Sequence, residues 1–254
     1  MKMVELGKAL PYLRGQNLLS PRSWRIRVLD ALHRTPTIQL KYKLEVYQLN
    51  PKDKAEFDDL NALGKVEEAN TLLFVRGILK STTGEKNSRS FVLQWLQWIE
   101  ATIARPTSGS SDTVTIKRSD ASNSNITNTN ILASFAVEAP STNDFYGILV
   151  GTGITAPATA DYVMQTKVAH GSAGTQLNYN PTSVGAASVV GANVDLTIVR
   201  TFNNGSGGTI TLKEIGLALY LSASLYFLAT HDAVNQAILN TEVAVVSYTM
   251  RTTV

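Results

Sequence analysis

The sequence predicts an α+β N-terminal region followed by an all-β domain of the sandwich type. Helical spacing of apolar residues ends near residue 105, and short β-rich runs between Gly, Asn, Ser and Pro follow it. The charge changes at the same place, from 17 Lys+Arg against 11 Asp+Glu in residues 1–105 to 6 against 9 in residues 106–254. Ordinary globular domains carry roughly 25% charged residues, well above this second part. The low charge of residues 106–254 indicates that other chains cover part of their surface.

Residues 37–105 are predicted to form a mixed α/β anchoring domain. Residues 37–49 alternate between apolar and charged side chains, which is typical of a strand with one solvated face. An Asn-Pro pair ends this strand, and Asp53 is expected to cap a helix that stops at Gly64.

Two further helices are expected in the anchoring domain. The first lies around residues 66–79. Residues 91–103 have the strongest helical pattern in the chain, with apolar side chains at i, i+3, i+4 and i+7 spacing. The members of this apolar face are Val92, Trp95, Leu96, Ile99 and Ile103.

Residues 106–254 are predicted to form the β-sandwich. Nine β-rich runs lie between turn signals, at residues 113–117, 131–138, 145–151, 162–169, 176–179, 194–202, 209–219, 225–230 and 242–252. Residues 203–208 read Asn-Asn-Gly-Ser-Gly-Gly and favour a hairpin connector, because Asn and Gly accept positive φ. The number and spacing of these runs predict a jelly-roll-like sandwich.

Residues 1–36 are predicted to form an extended basic arm, since they contain Pro11, Gly15, Pro21 and Pro36 and show no sustained period. Within it, arginines alternate with apolar side chains, and the assembly residues are Arg22, Trp24, Arg25, Arg27 and Arg34. Arginine neutralises phosphates, so contact with nucleic acid is one interpretation. Docking on a neighbouring subunit is favoured, because Trp and Arg dominate interface hot spots.

The composition excludes several function classes. The chain has no cysteine, which excludes disulfides, thiolate zinc sites and thiol nucleophiles. The N-terminus lacks the charged start, apolar run and cleavage site of a secretory signal. No apolar run approaches the roughly 20 residues that cross a bilayer, so no membrane association is expected.

Catalytic motifs are weak in this sequence. The three histidines, His33, His170 and His231, are far apart and lack metal-ligand spacing. His231 precedes Asp232 in a serine-rich chain, which leaves a Ser/His/Asp site open. There is no Gly-x-Ser-x-Gly elbow, however, so a surface or turn histidine is preferred. The sequence therefore predicts a protein that is not an enzyme, with no catalytic, cofactor-binding or metal-binding residues and no cofactor.

Two other motifs favour structural interpretations. Residues 151–156 match a loose dinucleotide fingerprint, but Pro157 and an Ala/Thr string replace the helix that would hold a pyrophosphate. A turn or insertion loop is expected there. An acidic cluster at residues 53–59 lies at a predicted helix start, where carboxylates favour the positive end of the helix dipole, so capping and solvation are preferred over calcium binding.

Five ordered phrases of the β region carry a resemblance to a known class of protein. They are FYGILVGTG at 145–153, DYVMQTKVAHG at 161–171, QLNY at 176–179, and the longer stretches at 198–217 and 247–254. This set is similar to a pattern met in virion structural proteins of tailed bacteriophages. The resemblance implies a virion surface or tail-associated role and brings no catalytic residues with it.

The expected function is that of a structural component of a phage-like virion, whether capsid-associated, connector or tail-associated. It would be made in the host cytoplasm without a signal peptide. It would assemble through its N-terminal anchor as a homo-oligomer, with copies of itself and other virion proteins as partners. The alternative is an adhesive tail-fibre module that binds a receptor or glycan.

Overall fold

The computed structural model of the protein describes residues 38–88, 91–104, 114–126, 136–221 and 225–253. It is mostly β, as predicted, with three described helices and several sheets. The helices are α1 (Pro51–Ala62), α2 (Val66–Arg76) and α3 (Leu93–Ala104). The strands are β1 (Ile38–Gln48), β2 (Ile78–Thr82), β3 (Lys86–Asn87), β4 (Val114–Lys117), β5 (Asn123–Ile126), β6 (Gly147–Gly151), β7 (Asn178–Val184), β8 (Ser188–Val190), β9 (Asn193–Asn203), β10 (Ile210–Leu221), β11 (Leu225–Ile238) and β12 (Val243–Thr253).

The first described strand lies inside the largest sheet. This sheet has the order β2-β1-β12-β9-β7, with β3 also paired to β1 and β8 to β9. β1 runs antiparallel to β12, from Ile38 opposite Thr252 to Tyr47 opposite Val243. A second sheet has the order β11-β10-β6, and β4 pairs with β5 alone. The strand of the predicted anchoring domain therefore completes a sheet of the C-terminal region.

Side chains of the two larger sheets meet in one hydrophobic core. The residues of β1 that point into it are Leu40, Tyr42, Leu44 and Val46, as their alternation predicts. Ile148 and Leu217 of the second sheet belong to the same cluster. The Tyr42 hydroxyl donates a hydrogen bond across the layers to the Ala233 carbonyl at 3.3 Å. Residues on both sides of position 105 thus share a core, so the predicted division there does not separate two cores.

The two helices between β1 and β2 cover the other face of the large sheet. Phe57 of α1 and Leu73 of α2 are buried against Val243 and Val245 of β12. Alternate residues of β12 enter the central core instead, among them Val246. The first part of β12 is therefore buried on both faces, which explains its continuous apolar run from Val243 to Val246.

Local chemistry sets the helix boundaries and corrects two expectations. Asn50, rather than Asp53, caps α1, because its side-chain oxygen accepts the Asp53 N–H at 2.9 Å. α2 ends at Arg76, short of residue 79, since Gly77 adopts extended backbone and begins the turn into β2.

The apolar face predicted for the third helix is only partly buried. Val92 is buried just before α3, and Trp95 packs against the central core. Leu96 is 60% exposed, contrary to the expectation, although α3 packs on β4 and β11.

Two expectations for the β region are also wrong. Residues 162–169 form a loop, not a strand, because the N–H groups of Gln165 and Thr166 bond to the Glu214 carboxylate and not to a neighbouring strand. Residues 203–208 do not form a hairpin, since β9 and β10 belong to different sheets. The side-chain amide of Asn204 stabilises this connection between the two sheets, because it donates a hydrogen bond to the Gly208 carbonyl at 2.8 Å.

Candidate functional site

The predicted assembly arm cannot be compared with the fold. Its residues Arg22, Trp24, Arg25, Arg27 and Arg34 all lie outside the described residues. Docking on a neighbouring subunit, and contact with nucleic acid, therefore stay predictions.

The predicted acidic cluster is neutralised by basic side chains on the protein surface. Asp53 and Glu56 face Arg76 of α2 at 3.1 and 2.9 Å, and Asp58 pairs with Lys54 at 2.6 Å. Arg76 thus links α2 to α1 through Asp53 and Glu56, which agrees with the predicted solvation role, whereas the cap of α1 is Asn50 and not a residue of the cluster.

His231 is held between two carboxylates. Its Nε2 lies 2.7 Å from Glu214, and its Nδ1 lies 2.7 Å from Asp161 of the loop that follows β6. Burial opposes the charge on this ring, but the two carboxylates outweigh burial and raise the pKa of His231. Because both neighbours are acceptors, both ring nitrogens can donate only in the protonated form.

Glu214 collects backbone donors in addition to His231. Its carboxylate accepts the N–H groups of Gly153, Gln165 and Thr166 at 3.1, 2.9 and 2.7 Å. Burial would raise the pKa of Glu214, but the bonds from His231 and these amides lower it. Glu214 therefore holds the start and the middle of the loop to the second sheet.

This carboxylate also explains the glycine motif at residues 151–156. A Cβ on Gly153 would lie 2.6 Å from the Glu214 Oε1 atom, so any larger residue would displace the carboxylate. The motif serves a close approach between loop and strand, which fits the turn expected from the sequence.

Asp232 has a different environment from its neighbour His231. Its carboxylate accepts hydrogen bonds from Ser88 at 2.8 Å and from the Tyr248 hydroxyl at 3.0 Å. Successive residues of a strand point to opposite faces, so His231 and Asp232 lie on opposite sides of β11. The structure therefore does not bring this His-Asp pair together in a hydrolase triad.

Arg200 is a second buried cation, which sequence reasoning did not single out. Its side chain has 0% exposure, and its five N–H groups donate to five backbone carbonyls at 2.5 to 3.3 Å. These carbonyls belong to Pro140, Asn143, Tyr146, Ile148 and Asn180. Burial lowers the pKa of Arg200 to about 10, so the side chain stays charged at neutral pH. Its alternation with Ile198 and Phe202 in β9 was the available signal.

Four exposed apolar side chains lie where α2 meets β2. We call Phe74, Val75, Ile78 and Leu79 the edge patch. Val75 is 76% exposed and Ile78 is 64% exposed. β2 is the edge strand of the large sheet among the described strands, and exposure of both Ile78 and Leu79 leaves both of its faces uncovered.

The opposite edge of the large sheet has the same character. All three residues of β8 are exposed there, and Val189 is 78% exposed. Apolar edge strands with free backbone groups readily pair with another chain. Both described edges of this sheet are thus suited to association.

A cleft of about 400 Å³ opens beside the second sheet, between the loop that follows β6 and the turn after β4. We call it the aromatic cleft. Its floor is formed by buried Leu149, Met164 and Leu228, and its wall by Phe145 and Tyr226. The polar residues at the cleft are Ser119, Asp120, Asp144 and Lys167.

The wall of the aromatic cleft is part of a stack of rings. Phe145 and Tyr226 lie nearly parallel, with centroids 5.4 Å apart. Tyr146 continues the stack from Tyr226 at 6.1 Å and from Tyr220 at 5.1 Å. Such a stack gives the wall a fixed shape without a tryptophan.

Comparisons with protein-family models, curated proteins and solved structures gave no match to this chain. The resemblance to phage virion proteins therefore stays a prediction. Within the described ranges, no group of three or more His, Asp or Glu residues is placed to hold a metal ion. None of the helices that the structure describes is long and apolar enough to span a membrane.

Proposed function

We propose that this protein is a non-enzymatic structural component of a phage-like virion. It assembles through the edges of its large sheet with copies of itself and with other virion proteins. The edge patch is the observation that carries the proposal, because four large apolar side chains, two on α2 and two on β2, the edge strand among the described strands, are costly to leave in water. The ordered phrases at residues 145–254 support the virion setting.

The finer architecture in this proposal is a jelly-roll-like sandwich. The chain passes between the two layers from β6 to β7, from β9 to β10 and from β11 to β12. Repeated passage between two packed sheets is a feature of that architecture and supports the proposal.

Sedimentation velocity on the full chain tests the assembly role. We expect an oligomer for the wild type and dissociation in Ile78→Lys, because a charge at the edge patch would be buried in the contact. Ile154→Lys is the matched control, since Ile154 is 84% exposed in the loop after β6 and belongs to neither edge strand. A wild type that sediments as a monomer at high micromolar concentration would refute the proposal.

The alternative of an adhesive module that binds a receptor or glycan is favoured by one observation, the aromatic cleft. It does not compete with assembly, because the cleft and the edge patch share no residue.

A further inference from the structure

We propose that the aromatic cleft binds a neutral hexose, as one or two pyranose rings of a larger glycan. This inference names a ligand class for the alternative function and does not depend on the assembly role. It stands on the shape of the cleft, on its division into apolar and polar surfaces, and on its charge balance.

The size of the cleft fits a small sugar. Ligand sites in proteins commonly enclose about 300–1,000 Å³, and this cleft has about 400 Å³. Phe145 is 56% exposed although it stacks on Tyr226 and the Lys167 ammonium lies 4.8 Å from its ring centroid, so the part of the ring that neither of them covers is available to a ligand.

The distribution of polarity in the cleft matches that of a pyranose. A pyranose has an apolar face of C–H groups and a rim of hydroxyls. The ring wall and the buried floor can contact the C–H face. At the polar side, Asp120 and Asp144 present carboxylate oxygens that can accept further hydrogen bonds beyond those they already make.

The polar groups of the cleft are already held in place. The Lys167 ammonium donates to the backbone carbonyl of Asp144 at 2.6 Å and to its carboxylate Oδ1 at 3.0 Å. The other carboxylate oxygen, Oδ2, accepts the His170 N–H at 2.8 Å. Asp120 accepts the Ser122 N–H at 3.0 Å. Pre-organised groups lose little freedom when a ligand binds, which favours binding of a weakly interacting molecule such as a sugar.

The charges of the cleft favour a neutral ligand. Asp144 pairs with Lys167 at 3.0 Å, and Asp120 pairs with Arg118 at 3.1 Å. Hydrogen bonds from Ser122 lower the pKa of Asp120, so this carboxylate is ionised at neutral pH. The two pairs balance, and the cleft offers neither the excess positive charge that a phosphate or sialic acid needs nor the excess negative charge that a cation needs.

Ligand-observed saturation-transfer NMR on the full chain tests the proposal. The probes are the methyl glycosides of glucose, galactose, mannose and N-acetylglucosamine. We expect at least one to bind with a millimolar or tighter dissociation constant. Phe145→Ala should weaken that binding at least tenfold, and Asp120→Asn should weaken it several-fold.

Leu239→Ala is the matched control, because Leu239, at 53% exposure, is a similarly exposed apolar residue outside the cleft and outside the edge patch. It should leave sugar binding unchanged. Equal urea midpoints for the variants and the wild type show that the fold is intact, and Phe145→Tyr, which keeps the ring, should retain binding.

Three results would overturn the proposal. One is the absence of binding by all four glycosides at tens of millimolar. Another is binding that neither Phe145→Ala nor Asp120→Asn alters, which would put the sugar elsewhere. The third is Phe145-dependent binding of a leucine-rich peptide in a protein that binds no glycoside, which would make the cleft a peptide site. If Ile78→Lys loses the oligomer but still binds the sugar, the sugar-binding proposal stands independently of the assembly role.

Discussion

Arg200 and His231 are both buried cations that hold loops to the sheets, but their surroundings are opposite. Arg200 is surrounded by neutral carbonyl oxygens from residues 140–148 and β7. His231 lies between the carboxylates of Glu214 and Asp161. The hydrogen-bond acceptors are backbone carbonyls in the first arrangement and charged carboxylates in the second.

This difference determines how the hydrogen bonds of Arg200 and those of His231 respond to pH. Arg200 keeps its charge at neutral pH even though burial lowers its pKa to about 10. His231 is an imidazole, whose charge changes with pH; burial opposes this charge, but the two carboxylates outweigh burial and raise its pKa. The charge of Arg200 therefore does not change around neutral pH, whereas the charge of His231 can change. We call Arg200 with its five carbonyls the constant anchor, and His231 with Glu214 and Asp161 the adjustable anchor.

Removal of the constant anchor should have the largest effect. Arg200→Met leaves five buried carbonyls without their donor, and we expect a loss of about 3–5 kcal/mol in the free energy of unfolding. Urea unfolding followed by circular dichroism measures it. Arg200→Lys should also be strongly destabilised, because an ammonium has three donors and cannot reach five carbonyls.

Arg76→Met is the control for this prediction, since Arg76 is an exposed arginine with two carboxylate partners. Its urea midpoint should stay close to that of the wild type. If Arg200→Met were no less stable than Arg76→Met, the carbonyl cage would not be a stabilising anchor.

Glu214→Gln should have the next largest effect. The amide keeps one oxygen, but its NH₂ group replaces an oxygen that accepts from Gln165 and His231. We expect a loss of about 2–3 kcal/mol, the range for hydrogen bonds to a charged group. Amide hydrogen exchange should accelerate at Gly153, Gln165 and Thr166, whose N–H groups bond to Glu214.

Glu67→Gln, an exposed change in the first turn of α2, is the matched control and should leave exchange at those three amides unaltered. Unchanged exchange in Glu214→Gln would show that the loop is held by other contacts.

The two anchors differ in how far the sequence could reveal them. The alternation of β9 places Arg200 in phase with Ile198 and Phe202, so a buried cation could be inferred there. Glu214 likewise follows Ile210 and Leu212 in phase along β10. The sequence could therefore indicate that both strands bury a charge.

The partners of these charges could not be predicted. Asp161 is 70 positions from His231 and lies in a loop without periodicity, and the carbonyls around Arg200 have no signal in the residue types. The aromatic cleft is equally hidden, because Phe145 and Tyr226 meet only through the sheet order β11-β10-β6. Local periodicity identified most strands, whereas contacts between distant loops depend on the tertiary fold.

The pH dependence of stability should show the adjustable anchor. The pKa of His231 is raised above its ordinary 6.5, so its contribution is complete below pH 6.5 and is lost as pH rises through the raised value. The pKa of Glu214 is lowered from 4.5, so its contribution is present above pH 4.5 and is lost as pH falls through the lowered value. Urea midpoints measured from pH 3 to 9 should therefore fall at both ends.

His231→Gln should remove the decline on the alkaline side, and the decline on the acid side should remain through Glu214. An alkaline decline of the same size in His231→Gln would assign it to another group.

Asp161→Asn should have the smallest effect and should separate the two carboxylates of the adjustable anchor. It removes one charge next to His231 but keeps an oxygen that can still accept the Nδ1 proton and the Ala158 N–H. We expect a loss of about 0.5–1.5 kcal/mol in unfolding free energy. The pKa of His231, followed by NMR of the ring protons, should fall, because Asp161 is one of the two groups that raise it.

Glu214 continues to bind the loop through Gly153, Gln165 and Thr166, so slow amide exchange at these residues should persist. Fast exchange there in Asp161→Asn would mean that the loop depends on both carboxylates together.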